Sequence, residues 1–148
     1  MQISKVPYEE NYEAALASLE DFYTHGEEIP PSSTGVYVEA DARLSLIATD
    51  NETVVGRLCA SYDPVTNSAR IELLFVDESQ RGLGVGKKLV EDFENSMRAN
   101  GVKMLFVDIT VSSSPKFYEK LGYRLIGTIP NYPSEEETYL LMMKRVVI

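Results

Sequence analysis

A short glycine-rich turn places the tightest constraint on what this chain can fold into. Residues 80–87 read Gln-Arg-Gly-Leu-Gly-Val-Gly-Lys, after an apolar run from Ile71 to Val76 and before an amphipathic stretch that reaches Asn100. A strand, a glycine turn and a helix in this order present free backbone N–H groups at the positive end of a helix, where phosphate groups bind. Glycine also leaves a ligand room to approach the backbone. The segment predicts an anion-binding turn, and a turn that binds nothing is the simpler alternative.

Two well-known phosphate loops do not fit this segment. A P-loop needs a glycine five residues before its Gly–Lys pair and a Ser or Thr after it, whereas Arg81 and Lys88 stand at those positions. The dinucleotide-binding fingerprint needs a sixth-position glycine, where this chain has Lys87 or Leu89. The pattern that remains is Arg-x-x-Gly-x-Gly after a predicted strand, formed by Arg81, Gly84 and Gly86.

Composition narrows the class of protein. The 148 residues, 44% hydrophobic and 25% charged, are ordinary for one globular domain, and we expect residues 1–148 to form it. The single cysteine, Cys59, excludes an internal disulfide, and the single histidine, His25, has no second histidine with which to hold a metal, so we expect no metal site. The charged N-terminus lacks an apolar signal region and no apolar run approaches membrane-spanning length, so we expect a cytoplasmic protein without membrane contact.

The distribution of charge is more informative than the net charge of −9. Residues 1–52 hold 11 of the 23 acidic residues but only two of the 14 basic ones, so the whole negative excess lies in the first third. The acidic total argues against nucleic-acid binding. A local group of bases around the glycine turn and the segment after the next strand reverses the sign, as a bound polyanion requires. These bases are Arg81, Lys87, Lys88, Lys116 and Lys120.

Hydrophobic periodicity predicts an α/β (α+β) fold with a mixed sheet. A strand, a helix of about sixteen residues and a strand form a βαβ unit, so the strands that end at Val76 and Thr110 should run parallel. Short turns before this unit indicate an antiparallel meander, and helices should cover both faces of the sheet. The predicted helices are Tyr8–Tyr23, Val85 to about Asn100, and Pro115–Lys120, where Ser112–Ser114 and Pro115 give start signals. The predicted strands are Val36–Val38, Arg43–Ala48, Val54–Tyr62, Ala69–Val76, Val102–Thr110, Tyr123–Ile129 and Thr138–Val147.

The glycine turn resembles the acyl-CoA pyrophosphate loop of the GNAT superfamily, the acyl-CoA-dependent N-acetyltransferases. The segment Phe117-Tyr118-Glu119-Lys120-Leu121-Gly122-Tyr123 resembles the family's signature after the fifth strand, and the resemblance covers nearly the whole chain. It implies the GNAT fold, with acetyl-CoA as the co-substrate and a primary amine as the acetyl acceptor. Two positions depart from the family: Val111 replaces an Asn common in relatives, and Ser134–Glu137 lacks the glycine of many last loops.

The resemblance also assigns the cofactor-binding residues. Backbone N–H groups around Leu74, Phe75 and Val76 are expected to hold the pantetheine arm and the thioester oxygen. The turn is expected to hold the pyrophosphate. The residues assigned to it are Arg81, Gly82, Leu83, Gly84, Val85, Gly86 and Lys87.

The same resemblance makes Tyr118 the candidate general acid. The tyrosine at this position in relatives points at the cofactor sulfur, and a phenol can protonate a departing thiolate. The alternative is that Tyr118 is a packing aromatic on a short helix beside Phe117.

Glu72 is the candidate base, because a carboxylate inside an apolar strand is costly unless it is partnered or used. Strict alternation along the strand predicts that Glu72 shares a face with Leu74 and Val76. An acid bonded to a neighbour is the alternative interpretation of Glu72, and Asp108 on the adjacent strand is the alternative base.

The acceptor side carries acidic residues. In the family the first helix, the loop after it and the last hairpin build that side, and here these segments contain Glu20, Asp21, Glu27, Glu28 and Glu135–Glu137. A negative cleft favours a cationic amine, such as a polyamine, an amino sugar, or a lysine or N-terminal amine of a protein. Acids that merely face solvent, or a catalytically silent acyl-CoA-binding module, are the alternatives. The oligomeric state, a homodimer included, and the use of other acyl groups stay open.

Overall fold

The computed structural model describes residues 1–22 and 43–146. The predicted strand Val36–Val38, His25 and the acids Glu27 and Glu28 lie outside the described residues. The helices are α1 Tyr8–Phe22, α2 Val85–Ala99 and α3 Pro115–Lys120. The strands are β1 Gln2–Lys5, β2 Arg43–Asp50, β3 Thr53–Asp63, β4 Ser68–Val76, β5 Met104–Thr110, β6 Arg124–Pro130 and β7 Thr138–Arg145.

The described strands form one mixed sheet in the order β1-β2-β3-β4-β5-β7-β6. Strands β1 to β4 pair antiparallel in sequence order, which confirms the predicted meander. Strands β4 and β5 pair parallel across α2, which confirms the βαβ unit. Strand β7 lies antiparallel between β5 and β6. Strand β1 was not predicted, because a strand of four residues is too short to show alternation.

Helices cover both faces of the sheet, as the sequence predicts. On one face Leu89 and Phe93 of α2 are fully buried in a cluster that includes Leu46 and Leu58. On the other face α1 lies over the neighbouring strand positions, where its Asn11 side chain donates to the Ser45 hydroxyl at 2.8 Å. The alternation of β2 and β3 thus divides their side chains between two helical layers.

Gly56 on β3 sets how closely α2 approaches the sheet. A Cβ at this position would lie 2.9 Å from both Leu89 Cδ1 and Val85 Cγ1, closer than side chains tolerate. Absence of the side chain lets the first turn of α2 rest directly on β3. Gly56 pairs with Val76, the last residue of β4, so this contact also sets the start of α2 beside the end of that strand.

Opposite charges four residues apart in the sequence predict three ion pairs on the exposed face of α2, and the structure forms two of them. The ion pairs Lys87–Glu91 and Lys88–Asp92 are formed, with N–O distances of 3.9 and 2.8 Å. The third predicted pair, Glu94–Arg98, is wrong. Glu94 is buried and accepts hydrogen bonds from Lys144 Nζ and the Tyr123 hydroxyl instead. A spacing of four residues detects neighbours on a helix but does not tell which stripe faces the core.

Candidate active site

The parallel strands β4 and β5 separate before either one ends. Their pairing covers only the four steps from Ser68–Met104 to Ile71–Val107, whereas β4 continues to Val76 and β5 to Thr110. Beyond Ile71, β4 remains paired with β3 on its other edge. Its β5-facing backbone groups therefore lack ladder partners there and can bind an extended ligand. The predicted pantetheine-binding residues Leu74, Phe75 and Val76 lie along this opening.

A β-bulge marks the point where the strands separate. Cys59 pairs with Leu73 and the next residue of β3, Ala60, pairs with Ile71, so Glu72 is an extra residue without a partner of its own. A bulge bends its strand and increases the local twist. Pairing with β5 ends at Ile71, immediately before the bulge.

The bulge overturns the prediction that Glu72 shares a face with Leu74 and Val76. Leu74 and Val76 pack against the core cluster that contains α2. Glu72 lies on the opposite face, where its carboxylate accepts a hydrogen bond from the Tyr8 hydroxyl of α1. Because the extra residue resets the alternation, the strict two-residue period used for the prediction does not hold across position 72.

The Glu72 carboxylate is half-buried under the first turn of α1. Burial and the hydrogen bond to Glu72 raise the pKa of the Tyr8 phenol well above its ordinary value, so Tyr8 stays protonated and donates. The Arg43 guanidinium lies over the Tyr8 ring, 4.7 Å from its centroid. Glu72 is thus a partnered carboxylate beside the opening, an arrangement compatible with either interpretation of this residue.

The glycine turn has the backbone geometry of an anion site. Gly82 and Gly84 have φ angles of 79° and 84°, in the left-handed region that favours glycine. No backbone N–H from Gly82 through Lys87 donates to a described residue, and the first helical bond runs from Lys88 N–H to Gly84 O at 3.0 Å. Unsatisfied N–H groups at a helix N-terminus are what bound phosphate uses.

Side chains close the turn at both ends. Arg81 Nε donates to the carbonyl oxygen of Val76 at 3.3 Å, which ties the turn to the end of β4. At the helix end, a Cβ on Gly86 would lie 3.2 Å from Phe117 Cζ and 3.5 Å from Val76 Cγ2. Gly86 therefore serves the packing of α3 against α2, whereas Gly82 and Gly84 have open space and serve the backbone angles. Leu83 projects outward and is 69% exposed.

Tyr118 on α3 combines a packed ring with a hydroxyl that makes no hydrogen bond to any described residue. Its ring meets the rings of Phe117 and Tyr123 edge to face, with centroids 4.9 and 5.7 Å apart, and the residue is 5% exposed. Within residues 1–22 and 43–146 its hydroxyl has no hydrogen-bond partner. Burial raises the pKa of the phenol, so it carries its proton at neutral pH. The ring matches the packing interpretation and the hydroxyl matches the general-acid interpretation.

The serines before α3 do not cap it as predicted. Ser114 precedes the helix with a φ of 58° and makes no side-chain capping bond, although Pro115 stands in the first turn as expected. Ser112 and Ser113 each share a 3.0 Å hydrogen bond with Thr110 Oγ1 at the end of β5. Ser112 also donates to Glu137 Oε2 at 2.7 Å, which brings the acidic last loop to the mouth of the opening.

Asp108, the alternative base, is occupied by other partners. Its Oδ2 accepts hydrogen bonds from Arg70 Nη1 and the Tyr139 hydroxyl, both at 2.6 Å. Its Oδ1 is buried and has no partner among the described residues. The cluster borders a cavity of about 240 Å³ lined by Arg70, Asp108, Gly127, Thr128, Ile129, Tyr139 and Leu141. Because Oδ2 already accepts two hydrogen bonds and Oδ1 is buried, we keep Glu72 as the first candidate for the base.

Sequence reasoning missed Tyr8, Asn11 and Gly56 as contributors to the site. Tyr8, Asn11 and Ala15 lie on one stripe of α1 at spacings of three and four, and a polar Asn on that stripe is a signal that could have been used. Asn11 and Ala15 are buried, with 1% exposure each. Gly56 lies in a strand interior, which often marks a close backbone approach.

The described residues contain neither a membrane-spanning helix nor a cluster of metal-ligating side chains. No described helix is long and apolar enough to cross a membrane. No group of three or more potential metal ligands occurs in residues 1–22 and 43–146. The sequence prediction of no metal site stays a prediction.

Comparison with known proteins identifies the family. The profile of the acetyltransferase (GNAT) family matches residues 8–123. Blasticidin-S acetyltransferase of Streptomyces morookaense is 36% identical over 73 residues, 49% of this chain and 54% of that protein. N-alpha-acetyltransferase 50 of Danio rerio is 30% identical over 94 residues, 60% of this chain and 56% of that protein. This chain thus aligns with little more than half the length of these two relatives.

A solved structure gives the same answer for the fold. The crystal structure of an aminoglycoside 6'-N-acetyltransferase complexed with coenzyme A superposes with a TM-score of 0.76 at 22% identity, covering 100% of this chain and 98% of that one. At this level of identity the likeness is one of fold. With the separated strands, the glycine turn at the start of α2 and a family profile that spans most of its length, this chain belongs to the acetyltransferase (GNAT) family.

Proposed function

We propose that this protein is an acetyl-CoA-dependent N-acetyltransferase that moves an acetyl group directly to a primary amine, with a small cationic amine as the acceptor. The observation that carries the proposal is the junction of the separated ends of β4 and β5 with the free N–H groups of residues 82–87. The separated strand ends place unpaired backbone along an extended ligand. The turn places helix N-terminal donors at the charged end of that ligand. Family membership supports the reaction class.

The residues present fit acetyl-CoA. The pyrophosphate would be held by the turn from Arg81 to Lys87, where glycines 82 and 84 leave the backbone open. The pantetheine arm would be held by the β5-facing backbone of Leu74 to Val76. The bound thioester supplies an activated acetyl group, and holding the amine in line with it can be worth about 7–11 kcal/mol of the barrier.

Acid and base roles follow from the hydroxyl and carboxylate groups at the opening. The amine nitrogen forms a bond to the carbonyl carbon as the C–S bond breaks. Tyr118, protonated and without a partner among the described residues, would give its proton to the departing sulfur. Glu72, directly or through a water, would accept the proton that the amine releases. No protein nucleophile is needed, and we expect turnover to survive a metal chelator.

Acidic groups near the mouth support a cationic acceptor. Glu72 lies on the α1 side, and Glu137 is tied to Ser112 just beyond the end of β5. Glu135 and Glu136 of the same loop are exposed. Carboxylates around a cleft attract and stabilise ammonium groups. The side chains of Glu20 and Asp21 lie outside what the structure describes, so their part in this cleft stays a prediction.

The names of the relatives indicate two classes of acceptor. Blasticidin-S and aminoglycosides are small molecules, whereas N-alpha-acetyltransferase 50 is named for an alpha-amino group. We favour the small cationic amine, with lysine or N-terminal amines of proteins as the second candidate. A catalytically silent acyl-CoA-binding module is the candidate from a different class.

An amine screen tests the proposal. The protein and acetyl-CoA are incubated separately with a polyamine, an aminoglycoside, a peptide with a free N-terminal amine, and a primary amine that is uncharged at the assay pH. The released CoA thiol is measured at two ionic strengths. We expect the best acceptor to be a small cation whose kcat/KM falls steeply as salt rises. A neutral acceptor, or no salt dependence, would contradict the cationic cleft. Coenzyme A binding by calorimetry without thiol release for any amine would identify a silent module.

A further inference from the structure

We propose that Tyr8, in the first turn of α1, is a positioning residue for the catalytic base: it fixes the Glu72 carboxylate in one orientation and leaves a single oxygen for the acceptor amine. The inference rests on the proposed role of Glu72. It adds a residue from the first helix, outside the glycine turn and the Tyr118 segment that carry the family resemblance.

The contact is specific to one carboxylate oxygen. The Tyr8 hydroxyl donates to Glu72 Oε2, joining residues that are 64 positions apart in the chain. Among the described residues no donor reaches Glu72 Oε1. A hydrogen bond to a carboxylate is stronger than one between neutral groups, so this bond holds the Glu72 side chain firmly in one orientation.

Glu72 needs such a support because of its place in the strand. As the extra residue of the bulge it has no cross-strand partner on β3 to fix its side chain. A glutamate in that setting would sample several rotamers, each with a cost in orientation for proton transfer. One bond from a rigid neighbour selects one of them.

Tyr8 is itself rigidly held by the residue three positions later. Asn11 Nδ2 donates to Ser45 Oγ at 2.8 Å and to the carbonyl oxygen of Leu46 at 3.1 Å, and Asn11 Oδ1 accepts from Arg57 Nη1 at 2.9 Å. These buried bonds fix the height and rotation of α1 on β2 and β3. Residues three apart share a helix face, so Tyr8 is directed at the sheet by the same contacts.

The Tyr8 ring is held from two sides as well. Its ring stacks on Tyr12, with centroids 5.7 Å apart and planes 17° from parallel. The Arg43 guanidinium lies 4.7 Å from the ring centroid, in cation–π geometry. The ring can therefore not turn away without losing both contacts, and its hydroxyl stays on Glu72.

The ionisable groups around Glu72 come from three elements. They are Tyr8 on α1, Arg43 on β2, and Arg57 and Cys59 on β3, which interact electrostatically with one another or with Glu72. Burial raises the pKa of the Cys59 thiol to about 12, and the phenol of Tyr8 also stays protonated. The phenol and the thiol thus stay uncharged, and Tyr8 is the described residue whose side chain donates directly to the carboxylate.

Tyr8→Phe with Tyr12→Phe as its matched control tests the inference. Both changes remove one hydroxyl from the same helix, but Tyr12 makes no hydrogen bond through its hydroxyl to a described residue. We expect Tyr8→Phe to lower kcat by about tenfold, the scale of one hydrogen bond to a charged group. Coenzyme A affinity should change little in either variant, and Tyr12→Phe should keep the parental kcat.

The split between kcat and KM separates positioning from a structural effect. If Tyr8 only orients the base, Tyr8→Phe should lower kcat while the KM for acetyl-CoA stays within twofold of the parent. Tyr12→Phe should leave both parameters unchanged. A Tyr8→Phe enzyme with parental kcat would overturn the inference even if Glu72 is the base.

A double-mutant cycle with Glu72→Gln distinguishes the role of Tyr8 from the role of Glu72. If Tyr8 acts through Glu72, Tyr8→Phe should have no further effect on kcat in the Glu72→Gln background. If the two losses multiply, Tyr8 acts elsewhere and the inference fails. If Glu72→Gln alone stays within twofold of the parent, the assignment of the base fails, and the inference fails with it.

Discussion

The two faces of β4 at the opening are built from different parts of the chain. On the α2 face the candidate cofactor site is mostly backbone: the free N–H groups of residues 82–87 and the unpaired edge of Leu74 to Val76. On the α1 face the candidate acceptor site is made of side chains from distant segments, with Tyr8 on Glu72 and Arg70 and Tyr139 on Asp108.

The difference has a physical origin. A backbone site needs only the right turn and helix start, and any side chain that does not block it is acceptable. A side-chain site depends on orientation, so each functional group needs a partner that fixes its rotamer. Cofactor binding should therefore be sensitive to substitution of the glycines in the turn. Catalysis on the acceptor side should be sensitive to the loss of single hydroxyl or carboxylate groups.

Tyr118→Phe is expected to have the largest effect, because Tyr118 lies between the two sides and would supply the proton to the leaving sulfur. Steady-state kinetics should show kcat lowered by about 10²–10⁴-fold, the usual contribution of one acid–base group. Coenzyme A affinity should change little, since the ring and its contacts with Phe117 and Tyr123 remain. Tyr62→Phe, at the far end of β3, is the control and should behave like the parent. A Tyr118→Phe kcat within twofold of the parent would assign this residue to packing.

Glu72→Gln compared with Asp108→Asn sharpens the acceptor side. We expect kcat/KM of Glu72→Gln to fall by about 10²-fold or more, the lower end of the range for a general base. The loss should be largest at low pH, where more of the amine is protonated and a base is most needed. Asp108→Asn should lower kcat/KM less than Glu72→Gln does, because Asp108 already binds Arg70 and Tyr139. The reverse order of the two losses would transfer the role of base to Asp108.

Gly84→Val against Gly101→Val tests the cofactor side. Both glycines have φ angles near 80°, and a Cβ added to either one would meet nothing within 4 Å. The strain in the folded state should therefore be similar, about 1–3 kcal/mol for each. Only Gly84 stands at the helix start, so calorimetry should show coenzyme A affinity reduced about tenfold or more in Gly84→Val alone. Equal affinities in the two variants would remove the turn from the cofactor site.

Glu137→Gln should give the smallest effect. Its side chain accepts a hydrogen bond from Ser112, and a glutamine oxygen can accept the same bond, so only the charge is lost. A partly exposed charge contributes about 0.2–1 kcal/mol, which corresponds to a few-fold rise in KM for a cationic acceptor at low salt. Glu52→Gln, in the turn between β2 and β3, changes the net charge equally and should leave KM unchanged. A similar KM change in both variants would mean that net charge, and not the loop, attracts the acceptor.

Much of the cofactor side could be predicted from the sequence. The strand before the glycine turn, α2, the parallel neighbour β5 and the short helix with Tyr118 all follow from local periodicity and from glycine and proline signals. These features depend on residues close together in the chain, where helix and strand periods decide which side chains share a face.

The acceptor side could not be predicted in the same way. The face of Glu72 depends on a bulge that no glycine marks, and the burial of Glu94 depends on Lys144 and Tyr123, which are 50 and 29 positions away. The bond from Tyr8 to Glu72 spans 64 positions. Such contacts are visible only once β3, β4 and α1 are assembled.

The sequence by itself thus determined the order of elements from β2 onward, the parallel pair and the glycine turn at the start of α2, because backbone conformation at each of these places is set by neighbours within a few residues. The tertiary structure decided how far β4 and β5 stay paired, which face Glu72 occupies and which hydroxyl fixes it. Strand register and side-chain partners are settled by packing between segments that are distant in the chain, and a shift of one residue moves a side chain to the other face of the sheet.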